Sequence, residues 1–168
     1  MGNVIGKRGE SIFSTIISRY VDPAGFLLDP TFLGEKFPTV DFYVHLLNYN
    51  TKKAFFFASV KATTLGYTAD NTKLKIKVDK AELAELIKYP VLVYLFGIDE
   101  NEEIGYFVCA NHCDATKNLN GIPTRFPVNA INIDLLWKEV ANYWNNNKEI
   151  TKFVSHFNQS ANGEEKRF

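Results

Sequence analysis

Val40-Asp41-Phe42-Tyr43-Val44-His45-Leu46-Leu47 and, a few residues on, Ala54-Phe55-Phe56-Phe57-Ala58-Ser59-Val60-Lys61 decide the fold. Both runs are apolar and rich in aromatic and β-branched residues, which suits half-buried strands. Asn48-Tyr49-Asn50-Thr51-Lys52-Lys53 between them reads as a hairpin loop. Side chains alternate between the faces of a strand. The first run therefore sends Val40, Phe42, Val44 and Leu46 to the core, and Asp41, Tyr43 and His45 to the other face. In the second, Ser59 and Lys61 share a face with Phe55 and Phe57. Such a hairpin can set Asp41 beside Ser59 and Lys61.

Outward from this hairpin, the spacing of Ile12, Phe13, Ile16, Ile17 and Tyr20 predicts a helix from Gly9 to Val21, stopped by Asp22-Pro23-Ala24-Gly25. Phe26-Leu27-Leu28 reads as a short strand, and Thr31 to Pro38 as a loop. Leu74-Lys75-Ile76-Lys77-Val78 alternates cleanly and reads as a strand. Asp79 is placed to cap a helix from Lys80 to about Lys88, with Glu82 in its first turn. Val91 to Phe96 is a continuous apolar run, the pattern of a central buried strand. Asp99 to Glu103 is a turn, and Ile104 to Ala110 the hairpin partner. Cys113 to Asn129 reads as irregular, Asp134 to Asn147 as an amphipathic helix, and 149–157 as a short helix. Strands that come in hairpins, rather than strictly alternating with helices, predict a mixed α/β fold. Its central sheet is curved, mostly antiparallel and flanked by helices.

The chain has 168 residues, which predicts one domain over 1–158 and a polar tail over 159–168. An apolar fraction of 46%, with 14 Phe and 8 Tyr, is that of a globular chain and excludes a disordered one. The 19 basic and 19 acidic residues cancel, so affinity for nucleic acid has to come from a local patch or a partner subunit. Two cysteines are too few for a secreted disulfide scaffold. The first ten residues lack an apolar signal segment, and no run has the length of a membrane span. These features predict a cytoplasmic protein with no membrane partner.

An Asp and a Lys on neighbouring strands can hold a divalent metal and a water beside a phosphodiester. Each also has a plainer reading. Asp41 suits an exposed strand start, and Lys61 a strand end whose ammonium reaches water. Glu10 lies on or near the apolar stripe of its helix, where it can point at the sheet. The helix dipole alone also favours a glutamate in a first turn.

Taken in order, Gly9-Glu10 on an opening helix, Val40-Asp41 on one strand, Ser59-Val60-Lys61 on the next, then a helix, Tyr89-Pro90 and Val91 to Phe96 resemble the PD-(D/E)XK nuclease-like superfamily. More narrowly, they are similar to a bacterial domain-of-unknown-function family within it. The resemblance spans about Lys7 to Asn147 and rests on the order of short motifs. It implies a restriction-endonuclease-like core and Mg²⁺- or Mn²⁺-dependent hydrolysis of DNA, in restriction or phage defence. Carried across, Asp41 is the metal-binding carboxylate, Lys61 positions the nucleophilic water, Glu10 is an auxiliary ligand and the Val60 carbonyl a further one. Ser59 departs from the pattern, which has an acidic residue there. A neutral hydroxyl is a poor Mg²⁺ ligand, so a migrated carboxylate would have to compensate, with Asp70 and Glu35 as conceivable migrants. The alternative is a nuclease-like module without catalysis that binds nucleic acid or a protein partner. A homodimer would suit cutting of both strands.

Lys73, Lys75 and Lys77 form a row on one strand face, with Lys80 nearby. Such a row can follow a phosphate backbone. With zero net charge, the stronger reading is an edge strand protected by lysines. Cys109-Ala110-Asn111-His112-Cys113 has three soft ligands but no fourth, which favours buried thiols over zinc. Gly6-Lys7-Arg8-Gly9-Glu10-Ser11 is not a phosphate loop, and no serine nucleophile elbow is present.

Overall fold

Helix α1 spans Gly2–Ile17 in the computed structural model, which describes residues 2–50, 53–146 and 149–158. Ile12, Phe13, Ile16 and Ile17 are its buried stripe. The helix thus begins earlier and ends earlier than its apolar spacing predicts. At its end the Ser18 hydroxyl folds back onto the Ser14 carbonyl at 2.6 Å. Tyr20–Val21 then leaves as strand β1, paired antiparallel with β2, Gly25–Phe26. The ladder across this tight turn replaces one more turn of helix. Strand β3, Leu28–Phe32, follows, so the predicted run 26–28 is divided between two strands and the predicted loop gives up its first residues.

The chain continues through a 3₁₀ turn at Gly34–Lys36 to β4 (Phe42–Leu46) and β5 (Phe55–Thr63). Next come β6 (Lys73–Val78), helix α2 (Lys80–Leu86), β7 (Val93–Asp99) and β8 (Ile104–Cys109). Strand β9 (Leu119–Pro123) and helix α3 (Ala130–Asn145) complete the core. The central sheet has the order β3-β4-β5-β7-β8. Its β5–β7 pair is parallel and its other pairs are antiparallel. A parallel pair needs a crossover, and β6 with α2 supplies it. β9 lies in the stretch predicted to be irregular, because Leu119-Asn120-Gly121-Ile122-Pro123 has no strand periodicity of its own. Pairing with β6 makes it a strand.

The sheet carries a packed layer on each face. On one, α1 and α3 pack against Phe42, Val44, Phe56, Ala58, Tyr94, Phe96 and Phe107. On the other, β6, β9 and α2 pack against Val93, Leu95 and Val108. Each fully buried Phe or Leu contributes about 1.5–3 kcal/mol. Two glycines permit the close approaches. A Cβ on Gly9 would lie 2.4 Å from the Ala62 Cβ, so the missing side chain lets α1 lie directly on β5. A Cβ on Gly97 would meet Ile122 at 2.7 Å and Ile76 at 2.8 Å, under the β6–β9 layer.

Both later helices are capped from outside their apolar patterns. Asp79 occupies the N-cap position of α2, but its side chain makes no cap bond and instead lies 3.4 Å from the Lys77 ammonium. The Asn118 Oδ1 takes the Lys80 N–H at 2.9 Å in its place. Asn129 caps α3, accepting from the Asn132 N–H at 2.9 Å, so that helix starts before Asp134. The helix predicted over 149–157 reduces to a 3₁₀ turn at Ile150–Lys152. The predicted polar tail 159–168 lies outside the described residues, as do positions 51 and 52 of the hairpin loop. Among the described residues, no helix is long and apolar enough to cross a membrane.

Candidate functional site

The site is built where β4 and β5 part. Phe42 pairs with Ala58, so Val60 would next come opposite Val40. The Asp41 N–H still reaches the Ala58 carbonyl at 2.9 Å. The chain then turns, and Val40 is buried with α2 and β6 rather than with Phe42. The strict alternation expected from residue 40 onward therefore breaks at Asp41. This would strand the Val60 N–H, and a buried backbone donor without a partner is costly. Asp41 resolves it: its Oδ2 accepts that N–H at 2.6 Å, in place of a strand carbonyl. A strand residue's N–H and C=O point to the same side, so the Val60 carbonyl is directed into the same gap.

Lys61, the next residue of β5, points to the α2 side of the sheet. Its ammonium lies 2.5 Å from the Glu82 Oε1 on α2, and the two side chains keep 35% and 26% of their exposure. Half-shielded from water, this pair is worth more than a fully solvated rim bridge. Glu10 approaches from the opposite layer, carried by α1 where Gly9 touches Ala62. It stands in the middle of α1, so the first-turn dipole explanation for a glutamate there does not apply.

The electrostatics tie these groups together. Burial pushes the Asp41 carboxyl up, the Val60 N–H and the Lys61 charge pull it down, and Glu82 pushes it up again, with a net rise. Glu10 is also raised, first by burial and then by the charge of Asp41, against the pull of Lys7. Asp41 is thus a hub with Glu10 on one side and Lys61 and Glu82 on the other.

The structure brings Asp41, Lys61, Glu10 and Val60 to one place. Ser59 does not join them: it is fully buried and, among the described residues, its Oγ has no hydrogen-bond partner. Asp70 is no migrated ligand. It closes a local turn, accepting from the Thr68 and Thr72 hydroxyls at 2.6 and 2.8 Å, which hold its carboxyl down at about 2. Glu35 lies on the exposed 3₁₀ turn and is not among the groups that shift Asp41. Lys73, Lys75 and Lys77 form an exposed row on β6, with Leu74, Ile76 and Val78 buried behind them. None of the three is among the charges acting on Asp41 or Glu10. Cys109 and Cys113 are buried free thiols, both pushed up by burial, Cys113 to about 11. The His112 Nε2 accepts the Ser155 N–H at 3.2 Å.

Sequence reasoning missed two features. Glu82 was legible only as a helix-start acid, because its pairing with Lys61 depends on the crossover. Glu139 is the second. It lies on the buried stripe of α3 between Leu136 and Tyr143, and a charge on such a stripe is itself a signal. Its carboxylate accepts from the Tyr94 hydroxyl at 2.5 Å, the Ser155 hydroxyl at 2.6 Å, and the His156 N–H and Nδ1, each at 2.7 Å.

Among the described residues, no three of His, Cys, Asp and Glu are gathered as a ready-made metal cage. Comparison with protein-family models, with curated proteins and with solved structures finds no match to this chain.

Proposed function

We propose that the Asp41 cluster is a site for divalent-metal-dependent hydrolysis of a phosphodiester, with DNA as substrate. One observation carries this reading. At the fork of β4 and β5, a half-buried carboxylate, Asp41, feels Lys61 and the Glu82 of α2 and itself acts on Glu10 of α1, so a lysine and two further carboxylates from different helices are grouped around it.

The donor chemistry fits Mg²⁺ or Mn²⁺. All the donors are oxygens, and Mg²⁺ commonly needs only one or two carboxylates because it keeps several waters. Two carboxyls raised first by burial and then by a neighbouring carboxylate, Asp41 by Glu82 and Glu10 by Asp41, are what a dication would relieve. The Asp41 Oδ1, the Val60 carbonyl and Glu82 would hold it, and Glu10 would bind through water. Glu82, on α2, thereby supplies the charge that Ser59 lacks. When bound, the metal supplies Lewis acidity and a more acidic water.

The chain's own groups do the rest. The Val60 N–H fixes the orientation of the Asp41 carboxylate by holding its Oδ2. Lys61, drawn off Glu82 by the incoming phosphate, orients the water and stabilises charge on the equatorial phosphoryl oxygens. The test is incubation of supercoiled plasmid with Mg²⁺ or Mn²⁺. Nicking is expected, and its loss in Asp41→Ala, Lys61→Ala and Glu82→Ala. Folded protein that cuts neither plasmid nor single-stranded DNA in either metal refutes the hydrolytic reading.

A second reading has its own observation. The Ser59 hydroxyl is sealed in the core and Lys61 is engaged by Glu82, the arrangement of a module that binds nucleic acid without cutting it. Retention of DNA by protein that never nicks it, with Glu82→Ala restoring no cleavage, is the outcome that selects this reading.

A further inference from the structure

The face of β4 and β5 that carries Lys61 also carries a row of rings. Tyr43 and His45 project from β4, opposite Phe57 and Phe55 of β5 respectively, and all four are half-buried. Tyr43 stacks on Phe55 with centroids 4.7 Å apart and planes at 29°. Phe55 touches Trp144 at 5.0 Å and Phe57 at 5.6 Å. Phe57 touches Tyr89 at 5.2 Å and Phe37 at 6.4 Å. Phe37 is 44% exposed. The layer of β6, β9 and α2 packs over β7 and β8 and touches this row at Phe57, and α3 reaches it at Phe55 through Trp144, so the rings are covered at their edges and stay only half-buried.

Charge frames the row. Lys53, Phe55, Phe57, Ser59 and Lys61 alternate onto one face of β5 and its entry. A cation therefore stands at each end of the aromatic pair, with Phe57 about 13 Å from Lys61 at 3.3 Å per residue. Asp29, opposite His45 on β3, is a carboxylate at the margin, and Glu82 is another, paired with Lys61.

We propose that this face is a stacking platform for an unpaired polynucleotide strand, which it leads to Lys61; the inference rests on the phosphodiester reading of the Asp41 cluster and names its substrate class. An aromatic ring offers a π face to any base, but only an unstacked base can use it. Duplex DNA hides its base faces and is held mainly through phosphates by strongly basic surfaces. A chain of zero net charge lacks such a field. It has instead rings between two lysines, Lys53 and the Glu82-paired Lys61, which match alternating bases and phosphates once an incoming phosphate draws Lys61 off Glu82.

The experiment is fluorescence anisotropy in EDTA, where no cleavage intrudes. The probes are labelled oligothymidylate, oligouridylate and a blunt hairpin duplex, with analytical ultracentrifugation in parallel. The first two bind and the duplex binds at least tenfold more weakly; their ratio separates DNA from RNA as the strand preferred. Tyr43→Leu, Tyr89→Leu and Phe37→Ala each lose about 10- to 100-fold for single strands, the weight of one stacking contact. Leucine keeps the apolar cover, so folding is preserved, and thermal melts confirm it. Duplex bound as well as single strands, no binding of either, or folded variants that bind as the parent does overturn the proposal. So does a dimer in the ultracentrifuge that Phe37→Ala dissolves. Single-strand binding without nicking by the metal-loaded protein leaves the platform standing and removes the hydrolytic reading. Nicking of duplex without single-strand binding does the reverse.

Discussion

Glu139→Ala is expected to destabilise the protein by about 3–5 kcal/mol, the cost of breaking a buried charged network by removing one member. The structure shows where the loss arises. The Glu139 side chain is 2% exposed and takes four hydrogen bonds. Its removal leaves the Tyr94 hydroxyl, on a fully buried residue, and the Ser155 hydroxyl, on one 5% exposed, without their acceptor. Each stranded donor costs about 1–3 kcal/mol. The half-exposed His156 imidazole turns to water and costs less. Against a typical stability of about 5–15 kcal/mol this is a large fraction. Urea unfolding followed by Trp fluorescence measures it as a fall in midpoint at constant slope. Tyr94→Phe, which removes one donor and leaves the other three, is expected to cost about 1–2 kcal/mol. Loss concentrates in the C-terminal segment, so exchange of the Cys109 amide, bonded to the Phe157 carbonyl at 2.8 Å, is expected to accelerate. A Glu139→Ala protein within about 1 kcal/mol of the parent would refute the reasoning.

The same network makes stability depend on pH. The hydrogen bond and the charge of Glu139 raise His156 above its ordinary 6.5, against a downward pull from burial. Protonated His156 is thus favoured in the folded state: its contribution is full below 6.5 and is lost as pH rises through the higher folded value. Melting temperature is expected to fall over that window in the parent and to be flatter in Glu139→Gln. Asp41→Asn keeps an acceptor for the Val60 N–H and should cost under about 1 kcal/mol while abolishing cleavage, whereas Asp41→Ala strands that N–H and costs about 1–2 kcal/mol. Equal losses of stability in the two would show that the bond is immaterial. Ser59→Ala removes an unpartnered buried hydroxyl, so stability should stay level or rise by about 1 kcal/mol with cleavage intact; lost cleavage would assign the hydroxyl a role that the structure does not. Gly9→Ala should cost about 1–3 kcal/mol despite better helix propensity, because the new methyl meets Ala62, and Gly9→Ala with Ala62→Gly should recover most of it in a thermal melt.

The Lys61–Glu82 pair and the Asp41–Val60 bond show how a site can be half legible. Asp41 and Lys61 stood out because two residue types of opposite charge ended adjacent apolar strands. Ser59 stood out because it was neutral where the superfamily it resembles has an acid. The replacement carboxylate was sought at Asp70 and Glu35, nearby in sequence. Glu82 had a sufficient local explanation as the acid of a helix start, so nothing in its neighbours marked it. Likewise Glu10 was placed in a first turn because the apolar spacing that marked the helix begins only at Ile12.

Period-two alternation along β4 and β6 and the apolar runs of β5 and β7 were written in the amino-acid order, since a strand's buried face depends on its own side chains. The mixed, mostly antiparallel class followed from the hairpin order. The start of α1, the existence of β9, the break at Asp41, the cap from Asn118 and the meeting of Lys61 with Glu82 were decided by the tertiary structure alone. Each depends on a partner far along the chain: Ala62 beneath Gly9, β6 beside β9, Val60 facing Asp41. Local periodicity reports which way a side chain faces, but it carries no information about what stands opposite, and that is where these hydrogen bonds and charges find their partners.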